Sequence, residues 1–293
     1  MTHKNPVAEG SPLVYQSCLP LSTKTLTLVV TAIRQHRSRV RSRWRKLSDH
    51  RAAVIVLAVL RHNQRPHDLA VGNGISASTV RRRVAQVIAV LAAEMPRLSR
   101  VLRRARHHSE VVLLDGTLIP IQRPHDRHRR RTHYSGKHKT FGLLVLAITD
   151  LNGNLLWTSA ALPARTAEIT AARRNRIPAH LRAADLAAIC DLGFTRLDDQ
   201  PGISDAPRPR GAHPGHPHDQ PTIITGRRAA RGKPLTRHQT TANAIISRER
   251  ATNEHAFSDL KNWRILDRLR GNHHHATTLI RALTVLTQTH TTR

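Results

Sequence analysis

The stretch VVLLDGT, residues 111–117, sets four apolar residues directly against a lone carboxylate. The chain carries 48 Lys and Arg against 19 Asp and Glu, a formal charge of +29, so each acid is worth placing. Four apolar residues rich in Val and Leu read as a buried strand. Asp115 then has two readings: a turn or cap aspartate that closes the strand, or a metal ligand held at the strand end.

Working outward, FGLLVLAITD (141–150) and GNLLWTSAAL (153–162) read as two further strands joined by the Asn- and Gly-bearing turn DLNGN. Between the first and second strands lies IQRPHDRHRRRTHYSGKHK (121–139), a basic loop. TAEITAARRNRIPAHLRAA (166–184) is expected to be helical, with a break near Pro178. DLAAICD (185–191) is a short buried strand that again ends in an aspartate, Asp191. PTIITG (221–226) is a candidate strand, and a long helix is expected from about Thr240 to Leu266. Residues 200–221 are rich in Pro, Gly and His without periodicity and read as a disordered surface loop.

Upstream the texture is helical from about residue 21 to 100, after a flexible lead-in over 1–20. RQHRSRVRSRWRKLSDHR (34–51) carries eight Lys and Arg against one Asp. In ASTVRRRVAQVIAVLAAEM (77–95), Val80, Val84, Val87, Ile88, Leu91 and Met95 form one apolar stripe, leaving Arg81, Arg82 and Arg83 largely outside. A buried helix, a short helix, a turn holding Gly72 and Gly74, then a helix opening on Ser76, Ser78 and Thr79 fits a helix-turn-helix. The same pattern also fits a plain helical bundle with a solvated basic face.

The charge favours a polyanionic partner, because clustered cations neutralise phosphates and release counterions. With 3% aromatic residues, single-strand binding by base stacking is disfavoured. The longest apolar run, Ala52–Leu60, is far short of the ~20 residues a span requires, so no membrane partner is expected. No secretory signal is read at the N-terminus. Cys18 and Cys190 make no disulfide framework or cysteine-rich zinc site, and His273, His274 and His275 point in different directions on a helix.

A third acid is expected on SRERATNEHAFSDLKNWRIL (247–266). Glu254 is the best candidate, with Glu249 and Asp259 as competitors. Arg250 and Lys261 fall on the helical face of Glu254, a pattern that suits a metal site beside a phosphodiester and equally an ion pair on a solvated helix. The order strand–strand–strand–helix–strand–helix, with acids on the first strand, the fourth strand and the last helix, is the layout of a ribonuclease H-like α/β domain. The expected architecture is that domain over 105–270, preceded by an all-α helix-turn-helix domain over 21–100 and followed by a C-terminal helix or tail over 271–293.

Four segments in order then resemble a known family. LLDGTLIPI (113–121), HYSGKHKTFGL (133–143), CDLGF (190–194) and the helix starting near PLTRHQTT (234–241) are similar to the motifs of bacterial insertion-sequence transposases of the DDE superfamily, of the IS5-related group. The resemblance implies Asp115, Asp191 and Glu254 as catalytic, metal-binding acids, spaced by 76 and 63 positions. It implies two Mg²⁺ (or Mn²⁺) ions, and DNA contacts from Lys137, Lys139, Arg250 and Lys261 beside Arg81, Arg82 and Arg83. It further implies double-stranded element ends and target DNA as partners, self-association on DNA, and a bacterial cytoplasmic, nucleoid-associated location. The activity implied is phosphodiester cleavage at element ends and strand transfer; the alternative is a catalytically decayed copy that only binds DNA. The chain departs from the family pattern at Ala167-Glu168, where His-Asp is usual, at Leu192 (usually Lys) and at Phe194 (usually Tyr).

Overall fold

The computed structural model describes residues 18–41, 47–198, 222–270 and 272–291. The segment 200–221, almost all of the lead-in 1–20 and part of the basic run 34–51 lie outside the described residues.

Among the described residues five helices come first: α1 (Thr23–Arg39), α2 (Asp49–His62), α3 (Pro66–Val71), α4 (Ala77–Glu94) and α5 (Leu98–Arg106). Local chemistry starts three of them in the same way. Ser22, Ser48 and Ser76 sit in extended backbone, and their hydroxyls accept the N–H groups of Thr25, Arg51 and Thr79, which the first helical turn leaves unpaired. α3 starts on Pro66, whose missing N–H costs nothing at that position. The expected α4 stripe is present: Val80, Val87, Ile88 and Leu91 are buried, and Val84 and Met95 are half-buried. Ile55, Val59, Ala70 and Val80 close a small apolar cluster between α2, α3 and α4.

The sheet follows: β1 (Val111–Pro120), α6 (Arg127–His133), β2 (Tyr134–Ser135), β3 (Thr140–Thr149), β4 (Leu155–Thr158), β5 (Leu162–Pro163), α7 (Glu168–Arg174), α8 (Ile177–Ala183), β6 (Ala187–Cys190) and β7 (Ile223–Thr225). Its order is β2-β3-β1-β6-β7, and β4 and β5 also pair with β3. β1 runs antiparallel to β3 and parallel to β6, and β6 runs parallel to β7. The described residues end with α9 (Arg237–Arg250), α10 (Thr252–Lys261) and α11 (His273–Thr291).

Three local expectations change. β1 does not stop at Asp115 but continues to Pro120, because β3 pairs with it over Leu113–Pro120. Only the parallel partner β6 ends here, its last residue Cys190 opposite Leu114. The basic loop folds in part as α6, capped by Asp126, whose carboxylate accepts the Arg129 N–H at 2.7 Å. The long helix is divided at Ala251 into α9 and α10. There the Thr252 hydroxyl donates to the Glu249 carbonyl at 2.8 Å, offering that oxygen an alternative to the helical ladder.

Strand alternation puts one core on each face of the sheet. Leu143, Val145, Ala147 and Ile119 face a layer that includes α10 and α11 and extends into α1, α2 and α4. Leu144, Leu146, Ile148, Val112 and Leu114 face α5, α7 and α8. The N-terminal helices and the sheet therefore share one continuous core. α11 seals the edge strand β4: Gln288 donates to the Leu155 and Leu156 carbonyls at 3.0 and 2.8 Å, and Thr284 and Thr158 bond through their hydroxyls. This mixed α/β arrangement is consistent with a ribonuclease H-like domain. Among the described residues no helix is long and apolar enough to cross a membrane.

Candidate active site

Asp115 and Asp191 each follow the last paired residues of two parallel neighbours, since Leu114 lies opposite Cys190. The sheet itself thus sets the two acids side by side. Each carboxylate accepts a backbone N–H close by in sequence: Asp115 Oδ1 that of Gly116 and Asp191 Oδ1 that of Gly193, both at 2.7 Å. Asp191 also caps a 3-10 turn over Leu192–Phe194, anchored by the fully buried Phe194.

Arg250, the last residue of α9, donates from Nη2 to Asp115 Oδ2 at 3.1 Å, and its Nε is buried without a partner. Asp115 lies opposite Ala147, which belongs to the α10 and α11 layer, so its side chain is on that face. Burial pushes the Asp115 carboxyl above the ordinary aspartate range; Arg250 and the Gly116 N–H oppose the rise, and Asp191 adds to it.

A third acid reaches the two aspartates from the other face, and it was not among the candidates. Glu168 opens α7, whose Ala171 and Ala172 belong to the opposite core layer. A Cβ on Gly116 would stand 2.6 Å from Glu168 Oε1, and one on Gly193 would stand 2.5 Å from Oε2 and 2.8 Å from Asp191 Oδ1. Gly116 and Gly193 leave room for this carboxylate, and a side chain at either position would make Glu168 move aside. Burial, then the charges of Asp191 and Asp115, raise the Glu168 pKa, while Lys137 and Arg250 pull it down. The sequence signal for Glu168 was slight: a lone acid at a helix start, visible only as a departure from His-Asp.

The other candidates are placed as follows. Glu254 is exposed in the first turn of α10, and among the described residues its side chain makes no hydrogen bond or ion pair. Glu249 is half-buried and pairs with Arg248 at 3.2 Å. Lys137 and Lys139 are exposed on the turn between β2 and β3. Beside them Tyr134 is exposed and meets Phe141 edge-on, with ring centroids 5.3 Å apart. Lys261 keeps an exposed surface, yet partial burial lowers its pKa. Arg81 and Arg82 are exposed on α4, whereas Arg83 is half-buried and donates to Gln86 at 2.8 Å. Cys190 is fully buried, which raises its thiol pKa well above the ordinary range and leaves it unreactive.

Aspartate oxygens are hard donors of the kind Mg²⁺ takes, and that ion is commonly held by one or two carboxylates and completed by substrate phosphates and water. Asp115 and Asp191 fit such an ion. Among the described residues no three His, Cys, Asp or Glu side chains converge closely enough to hold a metal on their own. The reason is geometric: Glu168 comes over Gly116, on the face opposite the Asp115 side chain, and Glu254 points to solvent.

The family profile described as DDE superfamily endonuclease matches residues 114–288, more than half of the chain. The chain belongs to that family. The match begins one residue before Asp115 and takes in Glu168, Asp191, α9, α10 and most of α11. No curated protein and no solved structure matches the chain significantly. Family membership supports a nuclease-type enzyme acting on DNA.

Like charges around Glu168 make a prediction about stability. A carboxyl whose pKa is raised by folding binds its proton more tightly in the folded state, so ionisation opposes folding above the unfolded value. Glu168→Gln is therefore expected to raise the melting temperature of the metal-free protein at pH 8 by about 2–4 °C. The gain should shrink as pH falls and vanish below about pH 4, where the unfolded carboxyl is itself protonated. Thermal melts of both proteins from pH 4 to 8 check this; a pH-independent difference would refute the charge argument.

Proposed function

We propose that this endonuclease is a DNA transposase of the insertion-sequence kind, related to the IS5 group, which cleaves phosphodiesters at its element ends and joins the freed 3′-hydroxyl to target DNA. The observation that carries the reading is the pairing of Asp115 and Asp191 at neighbouring parallel strand positions, under the α9–α10 segment that delivers Arg250. Asp115 and Asp191 would hold the divalent ions, and Glu254, the third acid that the resemblance implies, would have to turn in from solvent to join them. Bound there, Mg²⁺ or Mn²⁺ supplies activation of the attacking oxygen and stabilisation of the leaving one. The chain's own residues do the rest. Asp115 and Asp191 give rigid carboxylate anchors, and Arg250 opposes the rise that burial gives the Asp115 pKa. Lys137, Lys139 and Lys261 hold the phosphate backbone, and Glu168 fences the far side of the two aspartates.

α2, α3 and α4 fit a helix-turn-helix, with Arg81 and Arg82 on the exposed face of the last helix. Element ends would be bound there, and pairing of two ends would make the working form a homo-oligomer on DNA. Arg81→Ala combined with Arg82→Ala is expected to weaken end binding by about tenfold at moderate salt and to flatten its salt dependence by about two phosphate contacts. Titrations at several salt concentrations measure both; unchanged affinity and slope would mean that α4 does not face DNA.

The decisive experiment is cleavage and strand transfer with supercoiled plasmid carrying the element's own ends, in Mg²⁺, in Mn²⁺ and in chelator. Metal-dependent cutting with joined products supports transposition, and cutting without joining leaves a nuclease. A second reading, a catalytically decayed DNA-binding copy, is favoured by the ion pair that occupies Asp115 Oδ2. Tight, salt-sensitive binding with no cutting under any metal would establish it.

A further inference from the structure

Beside Asp191 lies a half-open cavity of about 870 Å³ that the catalytic acids do not use. It begins at Leu192, the residue that follows Asp191, and runs beneath the segment joining β7 to α9. Among the described residues four cations line it, Arg196, Arg227, Arg228 and Lys233, and no Asp or Glu does. Among the described residues none of the four is in an ion pair. An apolar side is supplied by Leu192, Pro234 and Leu235, with Leu192 unusually exposed for its type at 37%.

The wall is built, not draped. Asn243 of α9 clamps Arg227 from both sides, accepting its N–H and donating to its carbonyl at 2.8 Å each. Ala230 and Lys233 exchange backbone hydrogen bonds at 3.2 and 2.9 Å, closing a tight turn in which Gly232 takes φ +74°. Thr236 and Gln239 cap α9 reciprocally and fix where the wall ends.

The geometry points to a binding site for an unpaired stretch of one or two DNA nucleotides, displaced from the duplex next to the scissile phosphate. The volume is of nucleotide scale and is too small to take in a whole turn of duplex. Chemistry narrows it further. A free inorganic anion has no use for the leucine and proline side, while a nucleotide sets its phosphate on the arginines and its base on the apolar wall. The position is also right, since a strand passing over Asp191 meets Leu192 next. This inference rests on the reading of the chain as a DNA-cleaving enzyme.

The test is binding in chelator, so that nothing is cut. Fluorescently labelled duplex is compared with the same duplex bearing a two-nucleotide unpaired end. The wild-type protein should bind the tailed duplex about tenfold tighter at moderate salt. Arg227→Ala with Arg228→Ala should abolish that ratio by removing the phosphate partners. Leu235→Ser should weaken it by removing the apolar side without changing charge, while blunt-duplex affinity stays unchanged. Circular dichroism confirms that both variants fold. Equal affinity for tailed and blunt duplex in the wild type, or a preference that survives both variants, overturns the cavity assignment and leaves the enzyme reading intact. Failure to bind either duplex overturns both.

Discussion

Asp115→Asn is expected to lower metal-dependent plasmid cleavage by about a thousandfold or more, the scale on which an enzyme loses a charged group that acts chiefly in the transition state. The substitution is close to isosteric. An asparagine oxygen still accepts the Gly116 N–H that Asp115 Oδ1 accepts at 2.7 Å. What disappears is the charge facing Arg250 and, with it, a hard anionic oxygen for a divalent ion. Folding should survive, because burial already disfavours the ionised Asp115 and the variant removes that penalty along with the ion pair. A melting temperature within a few degrees of wild type, and undiminished DNA binding, would separate lost chemistry from lost structure. Glu254→Gln should behave in the same way once that side chain turns in from solvent, α10 lying in the layer that Asp115 faces. Glu249→Gln should do little, since that carboxylate is directed to Arg248. Cleavage by Asp115→Asn at the wild-type rate would remove the residue from the reaction.

The two aspartates were legible in the sequence because an apolar run that breaks on an acid is rare in so basic a chain, and because strand alternation carries over directly into a sheet. Their being neighbours was legible only as part of the strand order. What hydrophobic pattern does not encode is the partner of each edge. VVLLD is apolar up to Asp115, yet β1 runs on to Pro120 because β3 is long enough to pair with it. The division at Ala251 likewise coincides with a threonine hydroxyl bonded to the Glu249 carbonyl, which helical periodicity does not register. Glu168 was hidden for a different reason. Its importance comes from two glycines in other segments, Gly116 and Gly193, whose missing side chains leave it room. The cationic cavity next to Leu192 was hidden too, being assembled from a 3-10 turn and a loop with no periodicity at all. The stripe on α4 announced a buried face without saying what would cover it; the cover is largely α11, a segment expected only as a helix or tail after the catalytic domain.

That shared packing gives the largest expected change in stability, from Trp263→Ala. Trp263 lies just past the end of α10, 1% exposed, and is among the largest fully buried side chains of the protein. Its indole N–H donates to the Thr287 hydroxyl on α11 at 3.0 Å, and the Arg61 guanidinium of α2 stands over its ring, 5.7 Å from the centroid. One side chain thus touches α2, α10 and α11, which joins the N-terminal helices to the face of the sheet that carries Asp115. Removing it should cost about 3–5 kcal/mol through lost burial and the cavity left behind, set against a total stability of about 5–15 kcal/mol. A fall of about 10 °C or more in melting temperature is expected. Trp263→Phe keeps most of the apolar volume and loses the indole N–H, so it should cost only about 1 kcal/mol. The shape of the transition is as informative as its midpoint. With one core running from α1 to α11, the wild-type protein should unfold in a single step that circular dichroism and tryptophan fluorescence report together. If the N-terminal helices melted separately from the sheet, Trp263→Ala would split that step in two. It would also loosen α10, and with it the placement of Arg250 and Glu254, without any change in the catalytic residues themselves.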